Sequence, residues 1–270
     1  VWGEQGPGDV LRVCRCVAPL AERVQRAGGR LIWKTFPLVD TLLQRSRGAQ
    51  ADAFSAGGGV DLLPAFDYEV PLIGLPLMLG MEASTLTSSV PYLRADPSAR
   101  DAWRARLASD RRLKVGLVWT GSAGHQRNPF RRVGLERYAA AFRGIDGVAF
   151  YSLQPGANAD VEAARAAGLA IEDFTAELTS FDDTAAFIGA LDLVITVCTS
   201  VAHLAGALGA RTWVLLDVNP HWPWLLERND SPWYPTATLY RQPAFGAWAP
   251  VMEDVSRDLR GLAAQPVQSA

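Results

Sequence analysis

The sequence predicts an α/β protein built on parallel sheets, and three observations carry that prediction. Short β-branched runs alternate with amphipathic stretches along the 270 residues, the pattern of repeated strand–helix units. Hydrophobic residues make up 49% of the chain and charged residues 20%, which suffices to bury a sizeable core. A segment with two prolines, Val90-Pro91-Tyr92-Leu93-Arg94-Ala95-Asp96-Pro97, divides one αβ series from a second. The expected architecture is two αβ sheets joined by a linker, with a cleft between them.

In the first series a glycine-rich turn, Gly3 to Gly8, leads into a helix from Asp9 to about Ala27. Arg30 to Lys34 reads as a strand, Leu38 to Arg45 as a short helix behind Pro37, and Asp67 to Val70 as another strand. The chain opens with Val1-Trp2-Gly3 at what reads as the end of a strand. The first strand is therefore expected to be incomplete, and a version extended upstream to be more stable, because an unpaired central edge exposes backbone. The second series begins with a charged helix to about Ala108. It continues through a strand at Lys114 to Trp119, a helix at Leu135 to Phe142 and a strand at Val148 to Leu153. Leu191 to Val197 is the clearest strand, followed by a helix from Ser200 to Leu208 and a strand from Arg211 to Leu216. A last helix, from about Val251 to Leu262, has no strand after it.

Composition excludes several classes. With 28 acidic and 26 basic residues the net charge is −2, without the basic surplus of a nucleic-acid binder. No apolar run reaches the ~18 residues that would mark a transmembrane segment. Cys14, Cys16 and Cys198 cannot make a disulfide framework, and no Cys/His cluster has zinc spacing. These features describe a reduced, cytoplasmic protein without metal. Only Lys34 and Lys114 are lysines, so a Schiff-base or P-loop lysine has few candidates.

Ligands of parallel sheets bind at the carboxyl ends of strands, which directs attention to three turns. In Gly3-Glu4-Gln5-Gly6-Pro7-Gly8-Asp9 the backbone is flexible and a carboxylate stands at the mouth of a helix. Asp9 is either an N-terminal cap or a general base. In Cys198-Thr199-Ser200-Val201-Ala202-His203 two hydroxyls and free amides open a helix, a setting suited to phosphate. His203 there is either structural or a neutral hydrogen-bonding group disfavoured from protonation by the helix dipole. The loop from Trp119 to Arg132 carries His125, Arg127, Arg131 and Arg132, which either clamp an anion or solvate a surface loop. Between His221 and Pro235 three tryptophans and a tyrosine form either wall packing or a stacking surface for a base or sugar.

Taken together, Trp2 to Asp9, Val115 to Trp119, Tyr151 to Gln154, Thr196 to Gly209 and Asp230 to Pro235 resemble one group. It is the glycosyltransferase-like domain that follows tetratricopeptide repeats in many bacterial proteins, related to the ADP-heptose:lipopolysaccharide heptosyltransferases. The resemblance covers nearly all of the chain. It implies a GT-B fold of two Rossmann-like domains with parallel sheets facing across a cleft. The implied divisions are an acceptor-side domain at 1–95, a donor-binding domain at 96–248, and a helix at 249–270 returning to the N-terminal lobe.

The implied activity is inverting, metal-independent hexosyl or heptosyl transfer from a nucleotide-diphospho-sugar to a protein or glycan acceptor. No cofactor beyond the donor is implied, and the absence of a D-x-D motif agrees. By the same resemblance Asp9 is the catalytic base, Gln5, Gly6 and Gly8 form the acceptor loop, and Thr199, Ser200, Val201, His203, His125 and Arg131 bind the donor. Tetratricopeptide repeats, if present, lie upstream and hold a protein acceptor. Lobe closure is expected to bring Asp9 to the donor. The sequence departs from the group at Cys198, where an aspartate is usual, at Gln126-Arg127-Asn128, where Lys-Asn-Asp is common, and at Pro7 in place of leucine. Those departures define the rival expectation, a glycosyltransferase-fold binding module without catalysis.

Overall fold

The computed structural model describes residues 1–82 and 90–265. The domain ranges 1–95 and 249–270 include residues 83–89 and 266–270, which lie outside the described residues. The chain runs α1 (Pro7–Val13), α2 (Val17–Arg26), β1 (Ile32–Thr35), α3 (Asp40–Arg47), β2 (Ala53–Ala56) and α4 (Leu75–Met78) in its first part. The second part contains α5 (Pro97–Arg106), β3 (Leu113–Val118), α6 (Asn128–Arg131), α7 (Leu135–Phe142), β4 (Val148–Ser152), α8 (Asn158–Ala166) and β5 (Ile171–Asp173). It closes with α9 (Phe181–Ile188), β6 (Leu193–Val197), α10 (Ser200–Ala207), β7 (Thr212–Leu216), β8 (Ala237–Arg241) and α11 (Trp248–Ala263).

Two parallel sheets result, as the sequence pattern predicts. The larger has the order β5-β4-β3-β6-β7-β8. Its strands are near-continuous apolar runs because helices cover both faces, and alternate residues go to opposite sides. Val115, Leu117, Leu193, Ile195 and Val197 join a core beneath α7, α8 and α11. Val118, Val194, Val214 and Leu216 join a second core with α9, α10 and the first part of the chain. The smaller sheet pairs β1 with β2. Trp2 bridges in parallel to Lys34 on one side and to Pro71 on the other, so the segment just before α1 occupies a central position.

Several local expectations need correction. The expected helix from Asp9 to Ala27 is interrupted by a 3₁₀ turn at Cys14–Cys16. Residues 67–70 form no strand; Pro71 makes only an isolated bridge, and Asp67 and Tyr68 are exposed. The segment around Pro91 is not a free linker. Tyr92 and Leu93 are buried, both amides donate to the Ala207 carbonyl (3.0 and 3.2 Å), and the Tyr92 hydroxyl donates to the Leu11 carbonyl at 2.9 Å. Helix α11 does not return to the smaller sheet. It packs on α7 and β8, with Trp248, Val251, Met252, Val255 and Leu259 in the core on that face and Ser256 Oγ donating to the Ala141 carbonyl at 2.9 Å. Its apolar stripe is satisfied by the nearer surface, the uncovered flank beside α7.

Helices meet directly at the junction of the two sheet units. Helix α1 lies directly against α10, and α3 against α9. The close approach depends on small residues: a Cβ at Gly8 would stand 3.1 Å from Ser200 Cα and 3.3 Å from the His203 ring. Helix α10 stops at Gly209, whose φ of +73° suits glycine. Among the described residues no helix is long and apolar enough to cross a membrane.

Candidate active site

In a sheet of this order the direction of winding reverses between β3 and β6, and the carboxyl ends of strands at such a switch point are where ligands bind in open α/β sheets. Two of the three turns singled out by sequence emerge there. Beyond β3 the loop folds back through α6, where Asn128 Oδ1 accepts from the Gly121 amide (2.8 Å) and Asn128 Nδ2 donates to Thr120 Oγ1 (3.1 Å). Arg131 lies against Gly121, leaving no room for a side chain at that glycine. Its Nη1 donates to the Cys198 carbonyl at 2.7 Å, tying the β3 turn to the β6 turn. Arg127 donates to the buried Asp217 carboxylate (2.8 Å) and to the Asn219 carbonyl. The loop is therefore a braced cationic structure in which His125 and Arg132 are exposed and Arg127 and Arg131 are half-buried.

Beyond β6, Thr199 stands at the N-terminal cap of α10 in extended geometry, and its side chain caps no amide. Its Oγ1 instead lies 3.2 Å from Thr196 Oγ1. Ser200 is half-buried, and Val201 packs against the apolar core. His203 is buried. Its ring stacks on Trp224 at 5.1 Å and 13°, and Nδ1 lies 3.0 Å from the Tyr234 hydroxyl. The His203 side chain is thus buried in the contact between α1 and α10, hydrogen-bonded to Tyr234.

The third turn comes from the other sheet unit. Gln5 adopts a left-handed backbone (φ 60°), a strained conformation for a residue other than glycine, and Gly6 has open space around it. Asp9 sits in the first turn of α1 without being its cap, which is Gly6. Its Oδ1 accepts from Arg12 Nη2 at 3.0 Å. Because Gly8 approaches Ser200 so closely, the first turn of α1, which carries Asp9, is seated on the start of α10.

Three residues near Asp9 escape the sequence-based site. Arg12 is buried with its guanidinium 4.6 Å from the Trp222 ring centre and 5.0 Å from that of Trp233. His221 precedes the Trp222–Trp224 turn and feels Arg12, Asp9, His125 and Arg131. Trp222 is half-exposed at this edge. The one available signal is the aromatic density of 221–235, which is both wall and rim: Trp224 and Tyr234 are fully buried, whereas Trp222 faces out. Arg241 holds this wall in place by donating to the carbonyls of Trp224, Leu225 and Arg228 at 2.7 to 3.0 Å.

The electrostatic setting favours an anion. Burial lowers the His203 pKa well below its ordinary value, with Arg12, His221 and Arg15 adding to the effect. Burial likewise lowers His221 and His125, reinforced by nearby arginines and opposed by Asp9. A neutral folded-state histidine that protonates when unfolded contributes stability present above pH ~6.5 and lost as pH falls toward its folded value. The melting temperature should therefore drop between pH 7 and pH 5, and His203→Gln should flatten that slope; an unchanged slope in the variant would show that His203 is not the group responsible. Among the described residues no group of three or more His, Cys, Asp or Glu side chains could hold a metal ion.

The fold defines a class: two parallel-sheet units of the GT-B type, the larger with its switch point between β3 and β6. The particular likenesses are these. E. coli ADP-heptose lps heptosyltransferase II has a TM-score of 0.61 at 12% identity, covering 97% of each chain. The E. coli heptosyltransferase WaaC with ADP gives 0.58 at 12%, covering 98% of this chain and 100% of that one. The glycosyl transferase family 9 structure from Veillonella parvula gives 0.54 at 14%, covering 89% and 85%. At such identities the likeness is one of fold. By sequence the chain is 27% identical over 282 residues to Protein FlbA of Caulobacter vibrioides, covering 97% of this chain and 46% of FlbA. The chain thus spans about half the length of that relative. No family model matches it.

Proposed function

We propose that this chain is an inverting glycosyltransferase that uses a nucleotide-diphospho-sugar without a metal. The observation that supports the reading is the close approach of Gly8 to Ser200, which seats the first turn of α1 on the start of α10, together with the electrostatic influence of Asp9 on His125 and His221. In this mechanism Asp9 takes the proton of an acceptor hydroxyl as its oxygen attacks the anomeric carbon. The bond from that carbon to the diphosphate breaks, and the nucleoside diphosphate leaves with the extra charge. Amides of Thr199, Ser200 and Val201, with Arg131 and His125, stabilise that charge. His203 serves beneath them as a neutral support.

The E. coli relatives in fold are named for ADP-heptose or hold ADP, so ADP and ADP-sugars head the donors to test. The acceptor is a protein or glycan, upstream tetratricopeptide repeats are its proposed holder, and the cytoplasm is the proposed location. The domain division at residue 95 belongs to the same reading.

A thermal-shift screen of nucleoside diphosphates, with release of nucleoside diphosphate from ADP-, UDP- and GDP-sugars as the activity readout, tests the proposal. Ligand at 100 times its dissociation constant should add about 2.7 kcal/mol of stability. Silence across the panel overturns the reading. Binding without turnover, even with acceptors supplied, favours the rival binding module. One observation supports that rival: Cys198 is buried and its Sγ accepts from Trp224 Nε1 at 3.2 Å, so this position faces the wall and not a ligand.

A further inference from the structure

We infer that Arg12 is the positioning residue of Asp9, holding one carboxylate oxygen so that the other is aimed at the acceptor; the assignment rests on the transferase reading above. Arg12 lies one turn after Asp9 on α1, and its side chain is 1% exposed against 19% for Asp9. Burying a guanidinium is costly unless its donors find partners. Yet Arg12 Nε and Nη1 are buried without a hydrogen-bond partner among the described residues. The faces of Trp222 and Trp233 offset part of that cost through cation–π attraction. Among the described residues the fork makes one hydrogen bond, to Asp9 Oδ1 at 3.0 Å.

This geometry does something specific. The aromatic rings fix the guanidinium plane, the plane fixes Nη2, and Nη2 fixes the carboxylate rotamer. Oδ2 of Asp9 has no hydrogen bond among the described residues and is left to take a proton. A longer path to the same end would need the carboxylate to be held by solvent. The wall that supplies Trp222 and Trp233 belongs to the larger sheet unit, whereas Asp9 belongs to the smaller. Arg12 therefore sets the base by reference to the unit that binds the donor, which is the relation an in-line displacement requires.

A purely structural Arg12, riveting α1 to the aromatic wall, makes a different forecast. The test uses the full chain and the ADP-, UDP- or GDP-sugar that it turns over, measuring kcat, donor KM, ADP affinity and melting temperature for Arg12→Met, Arg12→Lys and Asp9→Asn. Methionine keeps the length and packs between the rings; lysine keeps the charge without the fork. The expected result is a kcat lower by about 10- to 100-fold in Arg12→Met, with donor KM and ADP affinity unchanged and part of the loss recovered in Arg12→Lys. Wild-type kcat in Arg12→Met, while Asp9→Asn is inactive, overturns the positioning role alone. A loss in Arg12→Met that follows ADP affinity or melting temperature also overturns it, in favour of the rivet. Full turnover by Asp9→Asn, or silence with every sugar nucleotide, overturns the transferase reading and this assignment with it.

Discussion

Asp9→Asn should lower sugar transfer by about 10²–10⁴-fold, the usual range for removing a general base, and leave nucleoside-diphosphate binding intact. The separation follows from where the groups sit. Asp9 belongs to α1, whereas the amides and Arg131 proposed to receive the diphosphate belong to the larger sheet unit. Asparagine has nearly the same shape and still accepts the Arg12 hydrogen bond through its side-chain oxygen, so the contact between α1 and α10 survives. What it lacks is an oxygen basic enough to take the acceptor proton. Turnover and isothermal binding of ADP to the two proteins make the comparison. A variant that transfers sugar at the wild-type rate would end the assignment of Asp9 as base.

Trp224→Ala should cost about 3–5 kcal/mol of folding stability, the range for truncating a large buried aromatic. Trp224 is fully buried. It stacks on His203, donates to Cys198 Sγ, and its carbonyl accepts from Arg241. Removing the indole leaves a void beside α10 and frees the turn that carries His221 and Trp222. Trp224→Phe should lose less, since it keeps a ring against His203 and forfeits only the bond to sulfur and some volume. Urea unfolding of both variants reads the difference. A cost below about 1 kcal/mol for alanine would mean that the aromatic wall is anchored elsewhere.

Much of the larger sheet was legible because its strands are apolar and β-branched, as Leu193-Val-Ile-Thr-Val197 is. The parts that escaped have weaker local signals. Strand β2 is Ala-Phe-Ser-Ala, β5 is three residues long, and α8 is alanine-rich without a strong stripe. Helix α9 did carry a signal, the reciprocal Ser180–Asp183 capping box. Within the candidate site, the three turns could be found because strand ends are where such sheets bind ligands. Arg12 could not, since nothing in Asp9-Val-Leu-Arg12 tells that its arginine is sealed between tryptophans more than 200 residues away. The course of α11 was likewise open, because an amphipathic stripe states that a helix must be covered and not by which surface. His203 shows the limit of motif reading: nothing in its motif tells that its ring stacks on Trp224 and bonds Tyr234.

The direct seating of α1 on α10 bears on how molecules enter and leave. Parting the two units would expose Val10, Leu11, Ala202 and Leu204, which lie in one continuous core. Such a joint resists rotation in the way that a glued seam does, and a door must be sought elsewhere. The surface around Asp9 that is not glued is the rim formed by Gln5, Gly6, His125, His221 and Trp222. Traffic through that rim asks only for small loop displacements, which are quicker than domain rotation. A catalyst whose two halves stay aligned along such a seam has its pace set by the rim and the chemistry, not by the swing of a hinge.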